Sequence, residues 1–142
     1  MSNDAVRLRA IRVDVWPLRA RAGDQTADWV EEDLPKNLAR ALAPYMAPAE
    51  RNGATLLARI ETIDFGVARG GRGSAGGSVD SIEGVLIVGG TRGGLAAQTP
   101  VRAIAPYQRS AVDQPLLEEA YHRRVGALAD AFAGWAPHEL GI

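Results

Sequence analysis

Cysteine is absent from the 142 residues, so no disulfide, thiolate metal site or cysteine nucleophile can operate within them, and the redox compartment stays open. Histidine is nearly as scarce. His122 and His138 stand too far apart for a helix-spaced metal pair. Aromatic residues make up 6% of the chain and none lies between Phe65 and Tyr107, which removes the stacking platforms that single-strand binders add to a basic groove. A formal net charge of −1 gives no electrostatic reason to expect a polyanion partner, so nucleic acid is not expected. No apolar run is long enough to cross a bilayer, and Met1-Ser-Asn-Asp has neither the basic start nor the apolar stretch of a signal peptide. A chain starting at Met1 is expected in the cytoplasm, whereas a processed one would sit in the periplasm or at the outer membrane, tied to the membrane only through a missing N-terminal anchor.

Glycine is what the chain has in abundance, concentrated between Gly66 and Gly94 and interrupted by the apolar run Ser81-Ile-Glu-Gly-Val-Leu-Ile-Val88. This pattern predicts two strands joined by a long mobile loop at about 66–79, since Gly70-Gly-Arg-Gly-Ser-Ala-Gly-Gly77 would lose too much conformational freedom on packing.

The rest of the chain reads as one domain over 1–142. Val6 to Trp16 alternates as a first strand whose parity changes near Ala10-Ile11, the mark of a bulge. Pro17 to Thr26 reads as a polar connection. Asp28-Trp-Val-Glu31 has capping-box spacing, and Pro35 is then expected either after a short turn or within the first turn of the main helix. Leu34, Leu38, Ala41, Leu42 and Tyr45 form its apolar stripe, ending near Pro44. Ala54 to Phe65 is a second strand, again with a parity shift. Val79 to Val88 is a third, whose continuous Val85-Leu-Ile-Val88 run predicts a central strand buried on both faces. Gly89 to Gly94 reads as a tight turn, and Leu95 to Ala105 as a fourth strand placed at an edge by Pro100. A closing helix runs from Asp113-Gln-Pro-Leu along Leu117, Tyr121, Leu128, Phe132 and Trp135, stopped by Gly134 and Pro137. The order β-α-β-β-β-α predicts an α+β two-layer sandwich, an antiparallel-rich sheet with two helices on one face. Leu38, Leu42, Ile60, Leu86, Leu128 and Phe132 are the expected shared core.

Candidate chemistry is thin. Gly71-Arg-Gly-Ser-Ala-Gly76 matches G-x-G-x-x-G but leads into a strand, so no helix N-terminus would receive a pyrophosphate. Glu31, Glu32 and Asp33 are expected to serve the positive end of a helix, as are Glu118 and Glu119, and His122 reads as a surface residue; no metal and no cofactor is expected. Trp16, Trp29 and Trp135 could stack on a ligand but more commonly pack at a core or its rim. The remaining binding candidates are Arg69, Arg72 and Arg92 in the glycine-rich segments, set to meet a protein partner or an anionic surface.

With that order of elements, the chain resembles the small domains of bacterial envelope lipoproteins, especially the ABC-type transport auxiliary lipoproteins. The opening strand Val6 to Trp16, the pair Thr55 to Phe65 and Asp80 to Val88, and the closing helix Tyr121 to Trp135 with Ala127-Leu-Ala-Asp-Ala-Phe132 carry the likeness; the lipobox cysteine is missing. The resemblance implies a noncatalytic accessory or binding domain acting with an envelope transport or outer-membrane assembly system, and offers no catalytic residues. The alternative from the residues alone is a small cytoplasmic ligand-binding protein or enzyme with a pocket between sheet and helices. Oligomeric state is not legible.

Overall fold

The computed structural model describes residues 7–66, 78–89, 97–107 and 117–141. Four strands, β1 (Leu8–Asp14), β2 (Ala54–Asp64), β3 (Ser78–Gly89) and β4 (Ala97–Tyr107), lie in the sheet in chain order. β1 runs parallel to β2, and β2, β3 and β4 form an antiparallel meander, so the sheet is mixed. The parallel pair is joined by α1 (Trp16–Ala22), α2 (Asp24–Ala41) and a 3-10 turn at Ala43–Tyr45; α3 (Leu117–Glu139) closes the chain. The result is the expected α+β sandwich, with one more helix than expected.

One face of the sheet meets all three helices. Leu56, Ala58 and Ile60 of β2, Ile82 and Leu86 of β3, and Val101 and Ala103 of β4 are buried against Leu18, Val30, Leu34, Leu38, Leu42, Val125, Leu128 and Phe132. All six residues expected to share the core are fully buried together. Both anticipated bulges are present, between Leu8 and Ala10 in β1 and between Ile60 and Thr62 in β2. Gly84 pairs with Ile60 beside the second bulge, where a Cβ would run into the Arg59 carbonyl oxygen; only glycine permits that approach. β4 is an edge strand, as Pro100 requires, and β3 is interior. β3 is not buried on both faces, however: Leu86 is fully buried while Val85 and Ile87 are only partly covered, because the helices among the described residues lie on one side.

The helices depart furthest from expectation. Residues 17–26 are not a polar connection. The Trp16 amide donates to Asp14 Oδ1 at 2.9 Å, and Pro17 occupies the first turn of α1, where a missing amide proton costs little. Gly23, at φ +95°, then turns the chain directly into α2. Consequently Asp28 and Glu31 lie inside α2 rather than at its start. They face Arg19 of α1, whose guanidinium is 2.9 Å from Asp28, 3.1 Å from Asp24 and 3.5 Å from Glu31. Side-chain hydrogen bonds to Asp24, then Asp28, hold the Arg19 pKa above its ordinary value.

α2 also continues through Pro35. An interior proline costs about 3 kcal/mol, and burying one leucine or valine side chain returns about 1.5–3 kcal/mol, so the buried Val30, Leu34 and Leu38 on the two sides of Pro35 outweigh it. In α3 the same balance carries the helix past Gly134 and Pro137 to Glu139. Its apolar stripe is largely alanine, with Ala129, Ala133 and Ala136 buried beside Phe132, whereas Trp135 is 46% exposed.

Leu86→Ala is expected to lower unfolding free energy by about 2–5 kcal/mol, and Arg40→Ala, on the exposed side of α2, by under about 0.5 kcal/mol. Urea denaturation of the two variants checks this; equal small effects would mean that the two layers do not share this core.

Candidate functional site

The core face of β3 alternates Asp80, Ile82, Gly84 and Leu86, so a carboxylate takes a position that the pattern reserves for apolar groups. Asp80 is 1% exposed. A lone buried carboxylate is too costly to stay ionised unless it is paired and hydrogen-bonded. Arg124 of α3 supplies the pair. Its Nε donates to Asp80 Oδ2 at 2.9 Å and its Nη2 to Oδ1 at 2.6 Å, a bidentate fork in which the Arg124 side chain is 13% exposed.

Oδ1 of Asp80 also accepts the Gly66 amide at 2.8 Å. Phe65, the residue before it, and Tyr121, one turn before Arg124 on α3, flank the guanidinium with ring centroids 5.0 and 5.2 Å from its central carbon. The two rings meet edge-on, 5.0 Å apart. Each aromatic face presents its negative quadrupole to the cation, so Arg124 keeps favourable contacts on the sides the carboxylate does not reach. Small residues make room for this arrangement. A cavity of about 120 Å³ adjoins it, lined by Ala105, Pro106, Ala120 and Ala127 together with the ion pair and Arg123. Ligand pockets for drug-sized molecules run to several hundred Å³, so this hollow suits a few waters or one small side chain.

Chemically the site is a clamp. It fixes the last residue before the 67–77 connection and the third residue after it, Gly66 and Asp80, to the N-terminal part of α3. Arg69 and Arg72 belong to that connection, which lies outside the described residues, as do Arg92 and the G-x-G-x-x-G segment. The flanking β2 and β3 are antiparallel neighbours, with Asp64 opposite Ser81, so no helix follows the glycine motif. The 90–96 connection, which carries Arg92, leaves the far end of β3, roughly 36 Å away at about 3.3 Å per residue. The strand order therefore starts the two arginine-bearing connections from opposite ends of the sheet.

The other candidates are dispersed. Trp16 is 73% exposed; Trp29 stacks on His122 at 4.7 Å and Trp135 meets His138 edge-on at 5.5 Å, so among the described residues the tryptophans do not form a common stacking set. Glu31, Glu32 and Asp33 do not cap a helix start, because α2 begins at Asp24. Sequence reasoning passed over Asp80 and Arg124. The signal was present in the parity of β3, where a single carboxylate on the apolar face demands a cation from another element.

Against proteins of known structure the chain finds clear relatives in shape. It superposes on a protein described as a "putative lipoprotein" from Caulobacter crescentus CB15 with TM-score 0.51 and 16% identity, covering 92% of this chain and 86% of that one. A minor lipoprotein from Acinetobacter baumannii gives TM-score 0.52 and 12% identity over 93% and 91% of the two chains. The fold is lipoprotein-like. An uncharacterized protein matches equally well, at TM-score 0.51 and 16% identity over 94% and 89%. No protein-family model and no curated protein matches the sequence. At these identities the likeness concerns architecture. No helix among the described residues is long and apolar enough to cross a membrane.

Arg124→Ala is expected to cost about 3–5 kcal/mol, since it strands a buried carboxylate. Asp80→Asn/Arg124→Met together should cost less than Arg124→Ala, because the pair is then removed as a unit. A double-mutant cycle in urea checks the coupling; additive effects would show that the two side chains act independently.

Proposed function

We propose that the chain is a noncatalytic accessory domain of the bacterial cell envelope that binds a protein partner through its glycine-rich connections, with Arg69 and Arg72 in one contact and Arg92 in a second. The observation carrying this reading is the clamp at the base of the 67–77 connection, set in a lipoprotein-like fold. A long glycine-rich segment that only reversed the chain would need no such base, because a short turn joins antiparallel strands at little cost. With Gly66 and Asp80 fixed, the two flanks present the connection at a defined place, the common arrangement for recognition on a rigid scaffold. Arginine suits this role, since its planar fork reads carboxylates on a partner bidentately while glycine neighbours leave the backbone free to follow the partner's shape.

The finer part of the proposal is action with a transport or outer-membrane assembly system, in the manner of the transport auxiliary lipoproteins. The cavity beside Arg124, at about 120 Å³, is smaller than the several hundred Å³ of pockets for drug-sized ligands, which at that place favours a binding surface over a pocket enzyme. Location at the periplasmic side or the outer membrane belongs to the same proposal.

Capture of envelope proteins by the immobilised chain, followed by quantitative titration of the partner, tests the reading. Arg69→Ala/Arg72→Ala is expected to weaken binding at least tenfold while shifting Tm by less than about 2 °C, the signature of exposed rather than structural residues. Arg92→Ala measures the second contact separately. Undiminished capture by the triple variant, or substrate turnover by the wild-type chain in hydrolase and nucleotide assays, would overturn the proposal.

A further inference from the structure

The groove between α2 and α3 holds a second polar cluster, independent of the clamp and of the partner-binding reading. Glu32 and Asp33 occupy the middle of α2, two turns from its start, where the helix dipole no longer accounts for carboxylates. Glu31 is answered by Arg19, but among the described residues no lysine or arginine lies within ion-pair distance of Glu32 or Asp33. Facing them is His122 of α3, with its Nε2 3.9 Å from Asp33 Oδ2. One ligand atom from each of the three residues falls within 4.8 Å of the others.

The separation is informative. At 3.9 Å the imidazole and carboxylate are too far apart for a hydrogen bond, which needs about 2.7–3.2 Å. Two ligands at about 2.0–2.2 Å from one ion can stand at most about 4.4 Å apart, so the 3.9 Å pair is within the span of a shared ion and would draw together on binding it. The imidazole is also held in place: the Trp29 ring lies parallel to it, 8° from coplanar at 4.7 Å. One turn beyond His122, Gly126 brings the α3 backbone beside Asp33, where a Cβ would make an ordinary contact 3.6 Å from Oδ2. Glu32 is exposed and free to swing toward the ion.

We propose that Glu32, Asp33 and His122 bind one divalent metal ion of the zinc class, which ties α2 to α3. One imidazole with two carboxylates favours a borderline ion over calcium or magnesium, which prefer all-oxygen shells, and three protein ligands leave a coordination position for water.

The test is calorimetric titration of the EDTA-treated full chain with ZnCl2, alongside Tm measured over the same zinc range. One zinc per chain should bind saturably below millimolar concentration and raise Tm progressively, while MgCl2 and CaCl2 do neither. Asp33→Asn and His122→Gln should each weaken zinc binding tenfold or more, and His138→Ala should leave it unchanged. Asp33→Asn, a near-isosteric change at a half-exposed position, decides the matter if His122→Gln loses its fold. No saturable binding, binding that survives Asp33→Asn, or binding that falls with His138→Ala would each overturn the assignment.

Discussion

A buried carboxylate must find a cation, and much of this molecule's arrangement follows from how Asp80 finds Arg124. The pair spans the two layers, from the core face of β3 to the N-terminal part of α3. Hydrophobic contacts do not discriminate between nearby rotations and slides of a helix, because Ala120, Val125, Leu128 and Ala129 would find apolar neighbours in several of them. A bidentate guanidinium–carboxylate fork has one geometry. It sets the height and rotation of α3 over β3 and β4, and through the Gly66 amide it also sets where β2 ends. Apolar pairs of the same volume commonly hold two layers together equally well, so the ion pair is better read as a specifier of register than as the main source of stability.

The remainder of the architecture is built by burial winning over local propensity. Two prolines sit inside helices, Pro35 in α2 and Pro137 in α3, and each interrupts a backbone bond that the helix would otherwise make. What carries the helices onward is the leucine stripe in α2 and the alanine stripe in α3, pressed on the same sheet face. Alanine at 129, 133 and 136 does more than favour the helix: it lets α3 approach closely, so that Phe132 is fully buried in the core. On the uncovered side of the sheet, Leu57 pairs with Ile87 and Val85 with Pro100, giving a partly exposed apolar strip flanked by the Asp14–Arg59 and Glu83–Arg102 ion pairs.

Strand content, both bulges and the core were legible because they rest on parity, and parity survives tertiary context; the edge position of β4 was legible from Pro100, which cannot donate to a ladder. Val85 and Ile87 misled because an unbroken apolar run signals burial on two faces only where both faces have a cover, and the helices supply just one. The segment 17–26 was opaque for another reason: proline, arginine and a single glycine resemble a loop in composition, while the helix there depends on Asp14 and on Pro17 occupying a first turn. The capping-box match at Asp28 was a true spacing with a false context, since the carboxylates serve Arg19. Asp80 and Arg124 stand 44 positions apart, and only the folded arrangement shows that they meet.

One short stretch of α3 carries a member of the Asp80 clamp and a member of the α2–α3 polar cluster. Tyr121 and Arg124, three residues apart, lie on one face and reach the β2–β3 end of the sheet; His122 and Gly126, four apart, lie on another and look onto α2; Val125 and Ala129 fall between them, in the core. The helix is therefore keyed on each side of its buried stripe, by a salt bridge toward the sheet and by a histidine toward its neighbour. A rotation of α3 that improved one contact would pull on the other. The base of the 67–77 connection and the α2–α3 groove are thus mechanically linked through fewer than two turns of helix, and a cation held in the groove would stiffen the same turns that anchor the loop.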